Sequence, residues 1–136
     1  MIDIRNLVVR YPDGTLAVDG FNLSVADGES VALVGANGAG KTSLLLSLVG
    51  ILPSTGEVTV DGVTLDKKTV PILRQRVGLV FQNPDDQLFM PTVYDDVAFG
   101  LRNRGMPEAE VRECVADCLD RLRIGHLVTR TPLKLS

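Results

Sequence analysis

The octapeptide Gly35-Ala-Asn-Gly-Ala-Gly-Lys-Thr42 fits the pattern G-x-x-x-x-G-K-[ST], and it stands between the apolar run Val31-Ala-Leu-Val34 and the helix-like stretch Ser43-Leu-Leu-Leu-Ser-Leu-Val49. Strand, glycine-rich loop and helix thus follow one another in the order a phosphate-binding loop requires. Such a loop turns its backbone N–H groups inward at a helix N-terminus, so it holds a polyanion without a side-chain acid or base. Gly35, Asn37, Gly38, Ala39 and Gly40 form the loop, and the glycines let the backbone come close to the phosphates. Lys41 is placed to reach the β- and γ-phosphates as a compact charge, and the Thr42 hydroxyl to complete the coordination of a magnesium ion. The residues alone therefore predict nucleotide binding.

Composition narrows the setting. The chain has 136 residues, 45% of them hydrophobic and 23% charged, which suits one soluble globular domain with a buried core. A net charge of -3 gives no electrostatic reason to expect nucleic acid or an anionic membrane surface as a partner. No apolar run approaches the roughly 18 to 20 residues that span a bilayer. The start, Met1-Ile-Asp-Ile-Arg5, lacks the basic and apolar regions of a secretory signal, so a cytoplasmic location is expected. Cys114 and Cys118 would share one helix face and resemble half a metal site, but with one His and no further Cys they are expected to be buried, reduced thiols.

Apolar runs predict strands over 2–9, 21–25, 31–34, 58–60 and 77–81, punctuated by turn signals at Pro12-Asp-Gly14, Asp27-Gly28, Pro53-Ser-Thr-Gly56 and Asp61-Gly62. The first helix should run from the glycine loop to about Val49 and stop at Gly50. A short helix is expected over 70–75. Beyond Asn83 the pattern turns helical: Val93, Val97 and Leu101 fit one face, and Pro107 opens a helix with Val111, Cys114, Val115, Cys118, Leu119 and Leu122 on one stripe.

Three further features fall in the order found in one family, and the chain resembles the ATP-binding subunit of an ABC transporter. Tyr11, in Tyr11-Pro-Asp-Gly-Thr-Leu16, lies where that family carries an aromatic residue that stacks on adenine. Gln82, after the run Val77-Gly-Leu-Val-Phe81, lies where it carries the Q-loop glutamine. An amide can accept from water and ligate a metal without adding charge. The resemblance implies a catalytic and magnesium-binding role for Gln82 and an α-phosphate contact for Ser43. The stretch Phe-Gln-Asn-Pro-Asp-Asp-Gln-Leu-Phe ending at Phe89 is similar to the energy-coupling-factor and cobalt-type ATPases, which drive uptake of vitamins or transition-metal ions. Asp85 and Asp86 are read as markers of that subgroup, not as metal ligands. The terminal Leu135-Ser136 matches the first two positions of the family signature Leu-Ser-Gly-Gly-Gln.

The resemblance implies an α/β fold: a P-loop NTPase core of the ABC ATPase type with an antiparallel β subdomain, over 1–82, followed by the start of a helical subdomain over 83–136. It implies ATP and magnesium as cofactors. It also implies a second ATPase subunit and a transmembrane coupling protein as partners, and a peripheral position on the cytoplasmic face of the membrane. No Walker B acid, adjacent catalytic glutamate or switch histidine is recognisable. Val58-Thr-Val-Asp61 reads as part of a hairpin, and His126 as a surface residue. A truncated or incomplete subunit is therefore expected, with a marginally stable isolated chain. A soluble ABC-type ATPase of translation or DNA repair is argued against by residues 83–89. A small P-loop kinase or GTPase would need an acceptor lid or an Asn-Lys-x-Asp motif, and neither is present.

Overall fold

The dipeptide Asp61-Gly62 forms the two-residue connection of a tight hairpin, with φ of 47° and 77°, between β3 (Ser54–Val60) and β4 (Val63–Thr64). Two successive positive φ values are the type I′ turn that matches the twist of paired strands. The hairpin expected from this sequence is therefore formed, and Asp61 is one of its turn residues. The structure, a computed structural model, describes residues 1–135, with the backbone alone for Pro84 and Asp86. It divides into two compact units, Met1–Leu79 and a second from Val80 onward.

In the first unit β1 (Ile2–Arg10) pairs antiparallel with β2 (Leu16–Val25) on one side and with β3 on the other, giving the order β2-β1-β3-β4. Simple alternation from Ile4 would send Leu7 outward. The register instead shifts between Ile4 and Leu7, where Asn6 adopts φ 47° and its N–H donates to Asn22 Oδ1 at 2.9 Å. That extra residue is a β-bulge, and it turns Ile4, Leu7 and Val9 onto one face. Against this face α1 (Lys41–Leu48) lays Leu44, and the buried cluster comprises Ile4, Leu7, Val9, Leu44 and Val58. Each such side chain contributes about 1.5–3 kcal/mol by leaving water.

Helix α1 ends before Gly50, which adopts φ 66°. Its last carbonyls are taken by α2 (Val70–Arg76): Arg74 Nε donates to Val49 O at 2.9 Å and Nη2 to Gly50 O at 3.2 Å. A guanidinium there satisfies orphan acceptors and faces the negative end of the helix dipole.

The second unit is built on α3 (Val93–Asn103) and α4 (Glu108–Arg121), whose buried residues Val93, Ala98, Val111, Val115 and Leu119 form one cluster. The first N–H groups of α3 all find acceptors. Val93 and Tyr94 donate to the Arg130 and Val128 carbonyls at 2.9 and 3.0 Å, and Asp95 N–H to Thr92 Oγ1 at 3.1 Å. The Thr92 hydroxyl in turn donates to Asp95 Oδ2 at 2.6 Å, a reciprocal cap. Arg102 ties the two helices together by donating to Asp95 Oδ1 (3.1 Å) and Glu108 Oε1 (2.7 Å), with its guanidinium 5.5 Å from the Tyr94 ring centre.

Several expectations are corrected. Residues 31–34 and 77–81 join no sheet among the described residues, and Val34 is 93% exposed. Their continuous apolar character suits a strand covered on both faces, but a strand exists only where another segment offers it a ladder. Strand β2 starts at Leu16, five residues before the expected 21, because Asp19-Gly20 is a bulge inside the strand and not a turn before it. On α4, Cys114 is exposed, Cys118 half-buried and Leu122 exposed. At about 100° per residue, Val111, Val115 and Leu119 span one narrow stripe with Cys114 well outside it, and Leu122 is already the C-cap.

The carboxyls of this second unit make its stability pH-dependent. The Thr92 hydroxyl and then Arg102 hold Asp95 below its ordinary value, and Arg102 does the same for Glu108. A depressed folded value means that the stabilisation is complete above the unfolded values of about 4 and is lost as pH falls through the lower, folded ones. The melting temperature is expected to fall below about pH 4, and Arg102→Met to remove part of that fall. An unchanged pH profile in the variant would show that the network contributes nothing.

Candidate nucleotide site

The glycine-rich loop is shaped by contact with β2. Gly40 adopts φ 85°, and a Cβ placed on it would meet Ala17 O at 2.1 Å. Only glycine permits both that conformation and that approach. Gly38 also has a positive φ, 82°, but has open space around it. Helix α1 starts at Lys41 with Gly40 as its N-cap, with no side-chain cap and no acidic residue in its first turn. No side chain of the protein thus caps its N-terminal N–H groups, the end of a helix that suits an anion.

Within the loop, Ala39 N–H donates to Ala36 O at 3.2 Å. Lys41 folds back across it, with Nζ donating to Gly35 O at 2.7 Å and to Ala36 O at 2.8 Å. These two bonds hold the ammonium against the carbonyls of the loop's first two residues. Thr42, next along the helix, is exposed, whereas Ser43 is buried.

Tyr11 is brought to the same place. It ends β1 in a turn closed by Tyr11 N–H to Thr15 O and Gly14 N–H to Tyr11 O, both 2.9 Å. Asp13 braces the turn by accepting from Thr15 N–H at 2.9 Å, a bond that lowers the Asp13 carboxyl below its usual range. The Tyr11 hydroxyl lies 2.9 Å from Ser43 Oγ. Neither this link nor the Ala17 carbonyl over Gly40 has a signal in the sequence, since both depend on how β1 and β2 fold over α1.

A cleft of about 240 Å³ lies beside the loop, lined by Val18, Phe21, Leu33, Val34, Lys41 and Leu44 among others. Its lining is mixed, with Leu33 and Val34 from the run patterned for burial facing Asp19, Gly40 and Lys41. Gln82 is exposed and belongs to the second unit, next to Asn83, whose side chain accepts from Asp85 N–H at the start of the 3-10 turn Pro84–Gln87. The Asp86 side chain and Ser136 lie outside the described residues. His126 is exposed in the 3-10 turn Gly125–Leu127.

Residues 18–136 match the family profile described as ABC transporter. The chain belongs to the ABC transporter family. It is 52% identical over 139 residues to the energy-coupling factor transporter ATP-binding protein EcfA of Methanothermobacter thermautotrophicus, covering all of this chain and 45% of that protein. Among solved structures it resembles cbiO1 from Clostridium perfringens, part of the ABC transporter complex cbiONQ, at a TM-score of 0.83 and 39% identity over 99% of this chain and 55% of that one. It also resembles the ATP-binding cassette MJ0796, in a dimeric post-hydrolysis state bound to ADP and Pi, at 0.82 and 26% identity over 100% and 63%. The ABC chain spans about half the length of the curated relatives it matches. The α/β fold with its antiparallel sheet is that of the corresponding part of ABC ATPases.

The loop geometry predicts different costs for two similar substitutions. Gly38→Ala meets only left-handed strain, about 1–2 kcal/mol. Gly40→Ala adds the clash with Ala17 and should separate the loop from β2, which thermal melts of the two variants would reveal as a much larger fall for Gly40→Ala. Equal falls would mean that the loop shifts away from β2 without cost.

Proposed function

We propose that this ABC chain carries the ATP-binding machinery of a subunit of a membrane importer, in which nucleotide binding and hydrolysis drive uptake of a metal ion or vitamin. One observation carries the nucleotide reading. Lys41 folds back on the glycine loop at the uncapped start of α1, an arrangement that suits an anion. The importer assignment is supported by the relatives named as energy-coupling factor ATP-binding proteins and by the cbiO1 structure.

In this reading the N–H groups of the loop from Gly35 through Asn37, Gly38, Ala39 and Gly40 surround the β-phosphate, and Lys41 exchanges its carbonyl partners for β- and γ-phosphate oxygens. Ser43 meets the α-phosphate, and Tyr11 supplies the flat surface for adenine. Magnesium would be held by the Thr42 hydroxyl, where it would neutralise charge on the phosphates. Neutral oxygen donors suit a hard cation.

We assign the nucleotide core to residues 1–82, three residues past the break between the compact units at Leu79, and the helical part to 83–136. The latter, with the Q-loop, faces a transmembrane coupling protein, and a second ATPase subunit, identical or homologous, completes the pair. By likeness to the transporter ATP-binding relatives the subunit is assigned to the cytoplasmic face as a peripheral protein; no helix among the described residues is long and apolar enough to cross a membrane. Hydrolysis needs a positioned water and an acid beside the metal. The chain's 136 residues show no Walker B motif with a following glutamate, and the alternative assignment for the chain by itself is binding without turnover.

The test is magnesium-ATP binding and phosphate release by the purified chain beside Lys41→Ala. Binding that the substitution weakens by tenfold or more, about 1.4 kcal/mol, with no phosphate release, is the expected outcome. Lys41-dependent release would overturn the assignment of binding without turnover, and binding indifferent to Lys41 would overturn the site.

A further inference from the structure

The Tyr11 ring is fixed at both ends. Its backbone is locked in the turn closed by Thr15 and Gly14, and its hydroxyl meets Ser43 Oγ at 2.9 Å, on the third residue of α1. Ser43 is only 7% exposed, whereas Tyr11 is 36% exposed, so the bond joins the rim of the site to its floor. An aromatic ring that only stacked on a base would need no hydroxyl, and phenylalanine would serve as well.

We infer that the Tyr11 hydroxyl is a positioning group for the phosphate site, acting through Ser43. The inference rests on the nucleotide reading of the loop. A hydroxyl has one proton and accepts through two lone pairs. When the Tyr11 O–H donates to Ser43 Oγ, the Ser43 proton is left free to point at a phosphate oxygen, and each bond of the chain polarises the next. The bond also sets the height of the ring above the start of α1, so the base surface and the phosphate surface are held in one register. Tyr11 thereby contributes to binding the phosphate chain, a part of the ligand that its ring would not touch.

The probe is magnesium tripolyphosphate, which has the phosphates and no base, measured beside magnesium-ATP on the full chain. Tyr11→Phe is expected to weaken tripolyphosphate binding roughly three- to tenfold, the scale of one hydrogen bond, while its thermal melt stays that of the unsubstituted chain. Ser43→Ala should cause a similar loss, and Tyr11→Phe added to it should cause no further one. Tripolyphosphate binding unchanged by Tyr11→Phe, with ATP binding intact and dependent on Lys41, would overturn the inference and leave the nucleotide site standing. An unsubstituted chain that binds neither ligand would overturn both. Additive losses in the double variant would also overturn it, because they would mean that the two hydroxyls act independently.

Discussion

Everything proposed for the loop depends on the seat that β2 gives to Gly40. The Ala17 carbonyl lies where any Cβ on Gly40 would be, so loop and strand are in backbone contact with no side chain between them. That contact is itself weak. It is held by burial elsewhere: Leu44 on α1 packs into the cluster of Ile4, Leu7, Val9 and Val58, and β2 is laddered to β1 along its length. Hydrophobic burial of about 2 kcal/mol per side chain thus fixes a polar loop that has little cohesion of its own. The bulge at Asn6 belongs to the same construction, since without it Leu7 and Val9 would leave the face on which α1 rests.

The sequence was most legible where the chemistry is local. The loop pattern, the stop at Gly50, the Asp61-Gly62 hairpin and the helix after Pro107 all follow from a few neighbouring residues whose conformational preferences agree with the final fold. Pairing is different. Residues 31–34 and 77–81 carry the apolar signature of covered strands, yet form no ladder among the described residues, because their pattern states a preference for burial and not a partner. The start of β2 was hidden for the opposite reason: Asp19-Gly20 has the composition of a turn and is a bulge, a distinction made by the opposing strand.

Side-chain burial on the helices shows the same limit. A stripe drawn from hydropathy puts Cys114 and Leu122 with Val111, Val115 and Leu119, but Cys114 lies outside the narrower buried face and Leu122 lies past the last turn, as the C-cap. At the site, the residue types of Lys41, Thr42 and Tyr11 were readable, whereas the contact between the Tyr11 hydroxyl and Ser43 was not. It arises from the height at which β1 ends above α1, and that height is a property of the packed sheet and helix.

Helix α1 shows how much of the site is borrowed stability. At eight residues it is too short to persist alone in water. Its first turn is held by the Gly40 seat, its middle by Leu44 and by Ser47, which is fully buried with its hydroxyl on Leu44 O at 2.7 Å, and its end by Arg74. The charges at its two ends act in the same sense. Arg74 sits at the negative end of the dipole, and an anion at the loop would sit at the positive end. A phosphate chain bound there would therefore strengthen a helix that already has its C-terminal charge in place. Because α2, which carries Arg74, runs directly into residues 77–81 and then Gln82, the segment leading to Gln82 begins on the element that secures the end of α1.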